Sequence, residues 1–103
     1  MAAVAVIQMT SGDSIAHNIE MLRGLIESAV AQGATLIATP ENSFYMRREG
    51  TASGTEYTMH EHPGVLYAQR AAAQHGIWIL IGSIRALEAG DDRPFNRSVL
   101  LSP

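Results

Sequence analysis

The chain has 103 residues, 47% of them hydrophobic and 17% charged, which fits one globular domain or a piece of one and leaves no room for several. A net charge of −3 offers no broad basic surface to nucleic acid, and all seven basic residues are arginines. Cysteine is absent, so disulfides and thiol chemistry are excluded within these residues, and every apolar run falls far short of the roughly 20 residues that span a bilayer.

The start, M-A-A-V-A-V-I-Q-M, lacks a basic leader and reads directly as a strand from Ala3 to Met9. No signal peptide is expected, and the expected compartment is the cytoplasm. The run is apolar except for Gln8, and so little alternation implies burial on both faces, as in parallel sheets. Thr10 to Asp13 then form a turn, with Asp13 or Ser14 able to accept hydrogen bonds from the first free amides of a helix. Ile15, Ile19, Leu22, Ile26 and Val30 recur at helical spacing and predict a helix from Ser14 to Gln32, with Gly33 as its stop.

Ala34 to Asn42, A-T-L-I-A-T-P-E-N, is the stretch around which the rest is organised. Thr35 to Thr39 are too few for a helix and suit a buried strand. Pro40 cannot donate to a sheet ladder and holds its predecessor in extended geometry, so it ends the strand. Glu41 and Asn42 then lie at the strand's carboxyl end, the edge where open α/β sheets collect their ligand sites. The competing reading of Glu41 is a solvated loop acid. Strand, helix, strand in this order is a βαβ unit with a right-handed crossover.

Ser43 to Glu61 shows no sustained period and reads as a long loop, with one helical turn near Met46 to Glu49. Pro63 opens a second helix that runs to His75, and Gly76 stops it. Ile77 to Ile81, I-W-I-L-I, is a third buried strand, with Trp78 read as core. Gly82 to Asn96 reads as a polar connection with its tip at Gly90-Asp91-Asp92, and Arg97 to Leu101 as a fourth strand antiparallel to the third. The expected fold is α/β in the order β-α-β-α-β-β. Two helices cannot cover strands that are apolar on both faces, so a partner layer is expected from a longer chain or another subunit.

His60-x-His62 could present two imidazoles on one side of an extended segment, but no acidic or thiol cluster joins them. They are read instead as one exposed histidine and one that hydrogen-bonds near the helix start, and no metal is expected. Arg47-Arg48 could grip an anionic group bidentately, although a solvated pair is the commoner outcome. No glycine-rich phosphate cradle follows any strand, and no cofactor is expected.

V-A-V-I-Q-M, Asn18 in the first helix, and G-A-T-L-I-A-T-P-E-N-S-F together resemble the amino-terminal third of the carbon–nitrogen hydrolase (nitrilase) superfamily. H-G-I-W-I-L-I-G-S and F-N-R-S-V-L-L-S-P resemble that family's following strands in the right order, so the similarity covers essentially the whole chain. T-P-E-N followed by M-R-R looks most like the branch that includes the ω-amidases and the deaminated-glutathione amidases.

The resemblance implies a four-layer α-β-β-α sandwich, of which residues 1–103 are the amino-terminal part of one incomplete domain. It also implies a glutamate–lysine–cysteine catalytic set, in which Glu41 matches the glutamate and is expected to face inward at the base of a pocket in the complete protein. The chain contains neither the lysine nor the cysteine, so alone it is expected to be inactive. The implied partner is a small amide or nitrile substrate, with a homo-oligomer in the complete form and neither nucleic acid nor membrane. The alternative is a non-catalytic α/β interaction module that docks through its uncovered sheet face.

Overall fold

The computed structural model describes residues 3–46, 57–87 and 94–103. Its elements are β1 (Ala3–Val6), α1 (Ile15–Ala31), β2 (Ala34–Thr39), α2 (Pro63–His75), β3 (Trp78–Leu87) and β4 (Pro94–Leu101), in the expected order. They build one sheet ordered β1-β2-β3-β4, with β1, β2 and β3 parallel and β4 antiparallel to β3. Each strand lies beside its predecessor, as short right-handed crossovers favour.

The helix ends follow their local chemistry. Ser14 caps α1, its hydroxyl accepting from the His17 amide at 3.2 Å, and Gly33 (φ 92°) follows the last turn. Pro63 begins α2 and Gly76 (φ 64°) ends it. The buried stripe of α1 differs from the expected one. It centres on Asn18, Leu22, Ile26 and Ala29, while Ile15, Ile19 and Val30 are only half-buried at its margins. A polar residue thus occupies a position that an apolar count passes over.

Both helices cover the same face of the sheet. Ile37, Ile79, Ile81 and Ile84 point into them and join Leu22, Ile26, Val65, Ala68 and Ala72 in a single buried cluster. The alanines of α2 let the helix seat closely on the strands. Arg23 of α1 lies over the Tyr67 ring of α2, 5.5 Å from its centroid, and ties the two helices across their outer edge.

The opposite face is bare among the described residues. Strand register aligns Val4, Leu36 and Trp78 in one row, and Val6, Ala38, Leu80 and Leu100 in the next. Val6 is 77% exposed and Trp78 46%. The expectation that Trp78 is core therefore fails within this chain. Ile79 and Ile81 take the helix side, and the period of two sends Trp78 and Leu80 to the other. Among the described residues nothing covers this face, and the Cα extents of 43 × 26 × 16 Å are those of a thin slab.

Strand lengths also differ from expectation. β1 stops at Val6, short of Met9, because its neighbour β2 ends at Thr39; the Ile7 amide makes the final bond to the Ala38 carbonyl at 3.0 Å. β3 instead runs on through Leu87 and β4 starts at Pro94, so most of the expected polar connection is strand. Residues 82–87 look irregular in sequence because Gly82 and Ser83 interrupt the apolar alternation. The ladder carries them through: Ile84, Arg85, Ala86 and Leu87 pair with Arg97, Asn96, Phe95 and Pro94. The expected tip at Gly90-Asp91-Asp92, the helical turn after Met46, and Arg47-Arg48 lie outside the described residues.

Candidate functional site

Glu41 stands at the carboxyl end of β2, in the first residues of the turn that Pro40 starts. Its side chain is exposed in this chain, on a loop whose neighbours are fixed. Ser43 and Phe44 are fully buried immediately downstream, and Thr39 is buried immediately upstream. The segment 39–46 is anchored from three directions.

The first anchor comes from α1. Asn18, at 0% exposure, uses its whole amide. Its Nδ2 donates to the Gly12 carbonyl at 2.9 Å and the Phe44 carbonyl at 2.8 Å, while its Oδ1 accepts from the Gly12 amide at 2.9 Å. The Met46 amide donates to the Gly12 carbonyl, and the Ser11 hydroxyl donates to the Ser43 carbonyl at 3.1 Å. The turn before α1 and the loop after β2 are thereby sewn together through one buried side chain.

The second anchor comes from α2. The Phe44 ring lies flat against Gly64, where an added Cβ would stand 2.5 Å from the ring, so only glycine admits this approach. The Phe44 ring is 6.1 Å, and the Tyr57 ring 5.6 Å, from the imidazole of His62. His62 is the N-cap of α2, its Nδ1 accepting from the Gly64 amide at 3.0 Å. An Nδ1 that accepts carries no proton, so the cap needs the neutral ring, and burial lowers the pKa from 6.5 to about 4. His60 is exposed. The two histidines thus divide as the sequence suggested.

The third anchor is β3. The register between β3 and β4 slips between Ile81 and Ile84, where Gly82 and Ser83 together oppose the stretch around Ser98. This is a β-bulge, and it lies beside the end of β2. The Gly82 amide donates to Thr39 Oγ1 at 3.3 Å, Ser98 Oγ donates to the Gly82 carbonyl at 2.7 Å, and Thr39 Oγ1 lies 3.0 Å from Ser43 Oγ. The Asn42 amide donates to Ser83 Oγ at 2.9 Å. A Cβ at Gly82 would collide with the Thr39 carbonyl oxygen and come within 2.8 Å of the Pro40 carbonyl carbon. Asn42 has φ 53°, a left-handed conformation that asparagine tolerates better than most residues.

Beside Asn42, a cleft of about 160 Å³ is lined by Tyr45, Met46, Arg85 and Asn96. Arg85 and Asn96 face each other in the β3–β4 ladder. Of the residues expected at a site, Glu41 is placed at the sheet edge, His62 is a structural cap rather than a ligand, and Arg47-Arg48 lie outside the description. Sequence reasoning named Asn18 only as part of a family resemblance, without its role as an anchor, and it missed Phe44, Ser83 and Arg85. Two signals were present. Asn18 precedes Leu22 by one helical turn, and a Gly-Ser pair interrupting a β-branched strand is a mark of a bulge.

The model of the carbon–nitrogen hydrolase family matches residues 3–103. A deaminated glutathione amidase from Synechocystis sp. is 30% identical over 100 residues, which are 96% of this chain and 36% of that protein. The chain therefore spans about a third of the length of the curated relatives it matches. An amidase from Nesterenkonia sp. superposes with a TM-score of 0.74 at 20% identity, over 96% of this chain and 37% of that one. A CN-hydrolase superfamily protein from Xanthomonas campestris, crystallised with an arsenic adduct in its active site, gives 0.74 at 23%, over 91% and 33%. With its sequence matched from the first strand to the last and its sheet shared with solved amidases, the chain belongs to the carbon–nitrogen hydrolase family.

Proposed function

We propose that residues 1–103 are the amino-terminal part of an amidase that hydrolyses a small ω-amide such as deaminated glutathione, and that Glu41 is its general base. The observation that carries this reading is the anchored turn at the carboxyl end of β2, where a carboxylate stands between two residues whose backbone or hydroxyl groups are hydrogen-bonded to β3. The match to a deaminated glutathione amidase supports the substrate class.

In this mechanism the rest of the domain supplies a cysteine and a lysine. Glu41 takes the thiol proton as sulfur attacks the amide carbon, then gives that proton to the departing ammonia. The resulting thioester is resolved by water, which Glu41 deprotonates, and the proton returns to the thiol. The lysine balances the negative charge that develops on the carbonyl oxygen at each addition. No cofactor is needed. The complete protein is a cytoplasmic homo-oligomer that takes a small amide or nitrile and has no nucleic-acid or membrane partner. Among the described residues no helix is long and apolar enough to cross a membrane.

The test is Glu41→Gln in the complete enzyme, with kcat measured on a small ω-amide. This substitution preserves size and removes the base, and turnover should fall by about two to four powers of ten while the fold is retained. Near-wild-type turnover would return Glu41 to the role of a solvated loop acid. Glu61, exposed just before α2, is the control whose substitution should change little.

The bare sheet face favours a second reading, that of a non-catalytic module docking through that face. The sequence downstream of Pro103 separates the two, because only the enzyme requires a lysine and a cysteine there.

A further inference from the structure

From the bulge in β3 we infer a positioning device: Gly82 and Ser83 hold the chain on both sides of Glu41, at the Thr39 hydroxyl and at the Asn42 amide, and Ser83 is a positioning residue for the base. This rests on the reading of Glu41 given above and goes beyond it, because it assigns the base's orientation to a strand that contributes no residue to the chemistry.

Three observations converge. The two hydrogen bonds from the bulge bracket the candidate base in sequence. Gly82 N–H reaches Thr39 Oγ1, two residues before Glu41, and Ser83 Oγ receives the Asn42 N–H, one residue after it. The bulge is itself tied down from the other side, because Ser98 of β4 donates to the Gly82 carbonyl at 2.7 Å. Contact is also close enough to forbid a side chain, since a Cβ on Gly82 would collide with the Thr39 carbonyl oxygen and come within 2.9 Å of the Pro40 carbonyl carbon and oxygen, the peptide that leads into Glu41.

A regular strand could not do this. In unbroken pleat, residues 82 and 83 would point to opposite faces and continue the ladder, whereas the parallel pairing of β2 with β3 finishes at Thr39 and Ile81. The extra residue of the bulge frees one amide and one hydroxyl to turn towards the loop, the re-aiming that bulges provide beside sites. Asn42, held at φ 53°, presents its N–H to Ser83 and fixes the peptide that follows the glutamate. With Thr39 and Asn42 both held, the Glu41 Cα–Cβ direction is set by the sheet rather than by solvent. Misplacement of a reacting group by about 1 Å can cost on the order of 100-fold in rate.

The test is a double-mutant cycle in the complete enzyme. Ser83→Ala should lower kcat by about 10-fold or more, with KM changed less than about 2-fold, because the hydroxyl acts on the base and not on the substrate. Ser83→Thr, which keeps the hydroxyl, should recover most of the turnover. In a Glu41→Gln background the same Ser83→Ala change should alter the residual kcat by less than about 2-fold, since there is no base left to orient. Circular dichroism confirms that each variant is folded. Should Ser83→Ala not fold, Ser83→Cys keeps the shape, weakens the acceptor and is read in the same way.

An equal loss in both backgrounds would show a merely structural role and overturn the inference. Wild-type kcat in Ser83→Ala beside a dead Glu41→Gln would overturn it while leaving the assignment of Glu41 standing. Full activity of Glu41→Gln would remove both.

Discussion

Asn18 shows how much can hang on one amide. Its three hydrogen bonds satisfy the Gly12 amide, the Gly12 carbonyl and the Phe44 carbonyl, and no solvent reaches it to replace them. A leucine would fit the apolar stripe and is close in size, yet it would leave the buried Phe44 carbonyl without its partner and remove two part-buried bonds to Gly12, whose carbonyl keeps the Met46 amide. An unsatisfied buried group costs about 1–3 kcal/mol. Asn18→Leu in the complete protein should therefore lose about 2–4 kcal/mol, read as a lower urea midpoint with an unchanged slope. The loss should appear even though hydropathy improves at that position, which sets it apart from an ordinary core substitution.

At the level of elements, α2 carries a dependence on pH through its cap. His62 serves as an acceptor only when neutral, and burial keeps the folded pKa at about 4 against 6.5 in the unfolded chain. Between those values the unfolded state binds a proton that the folded state refuses, so stability rises with pH across the window and is flat above it. Urea midpoints taken from pH 7.5 down to pH 4.5 should fall. His62→Asn, which retains an acceptor for the cap without titrating in this range, should remove that part of the slope.

The elements themselves were largely legible. Helix stops at Gly33 and Gly76, the proline at the head of α2 and the proline ending β2 are local devices, and each acted where local chemistry placed it. What escaped was decided by partners far along the chain. Trp78 was misread because no property of I-W-I-L-I tells which of its two faces meets the helices. Strand pairing extended β3 to Leu87, and the first strand was cut short by the length of its neighbour. The position of Glu41 followed from Pro40 alone, whereas the bonds made by Ser83 and Asn18 join segments 26 to 41 residues apart and cannot be read from either segment by itself.

For the whole molecule, the slab has one dressed side and one bare side. The rows Val4–Leu36–Trp78 and Val6–Ala38–Leu80–Leu100 form a continuous apolar surface of the kind that marks an interaction site or an association liability. The 103-residue chain produced alone should bind a hydrophobic dye, self-associate at micromolar concentration and show no amidase turnover. Its single tryptophan sits on that surface, so emission should move to shorter wavelength as association proceeds. Leu80→Glu should weaken the association and reverse the shift. A monomeric chain with solvent-exposed tryptophan emission and no dye binding would mean that the bare face is tolerated in water.

The strand order has a consequence for how the molecule comes into being. Because the spatial sequence is β1-β2-β3-β4, each strand emerging from the ribosome finds its neighbour already present at the open edge, and the sheet can be laid down in the order of synthesis. The turn that carries Glu41 is the exception. It is translated with β2, but the hydroxyl that fixes its far side arrives 41 residues later, at Ser83. At about 5–20 residues per second that is an interval of roughly 2–8 seconds. During it, the nascent chain has two strands and a carboxylate whose final direction is still unset.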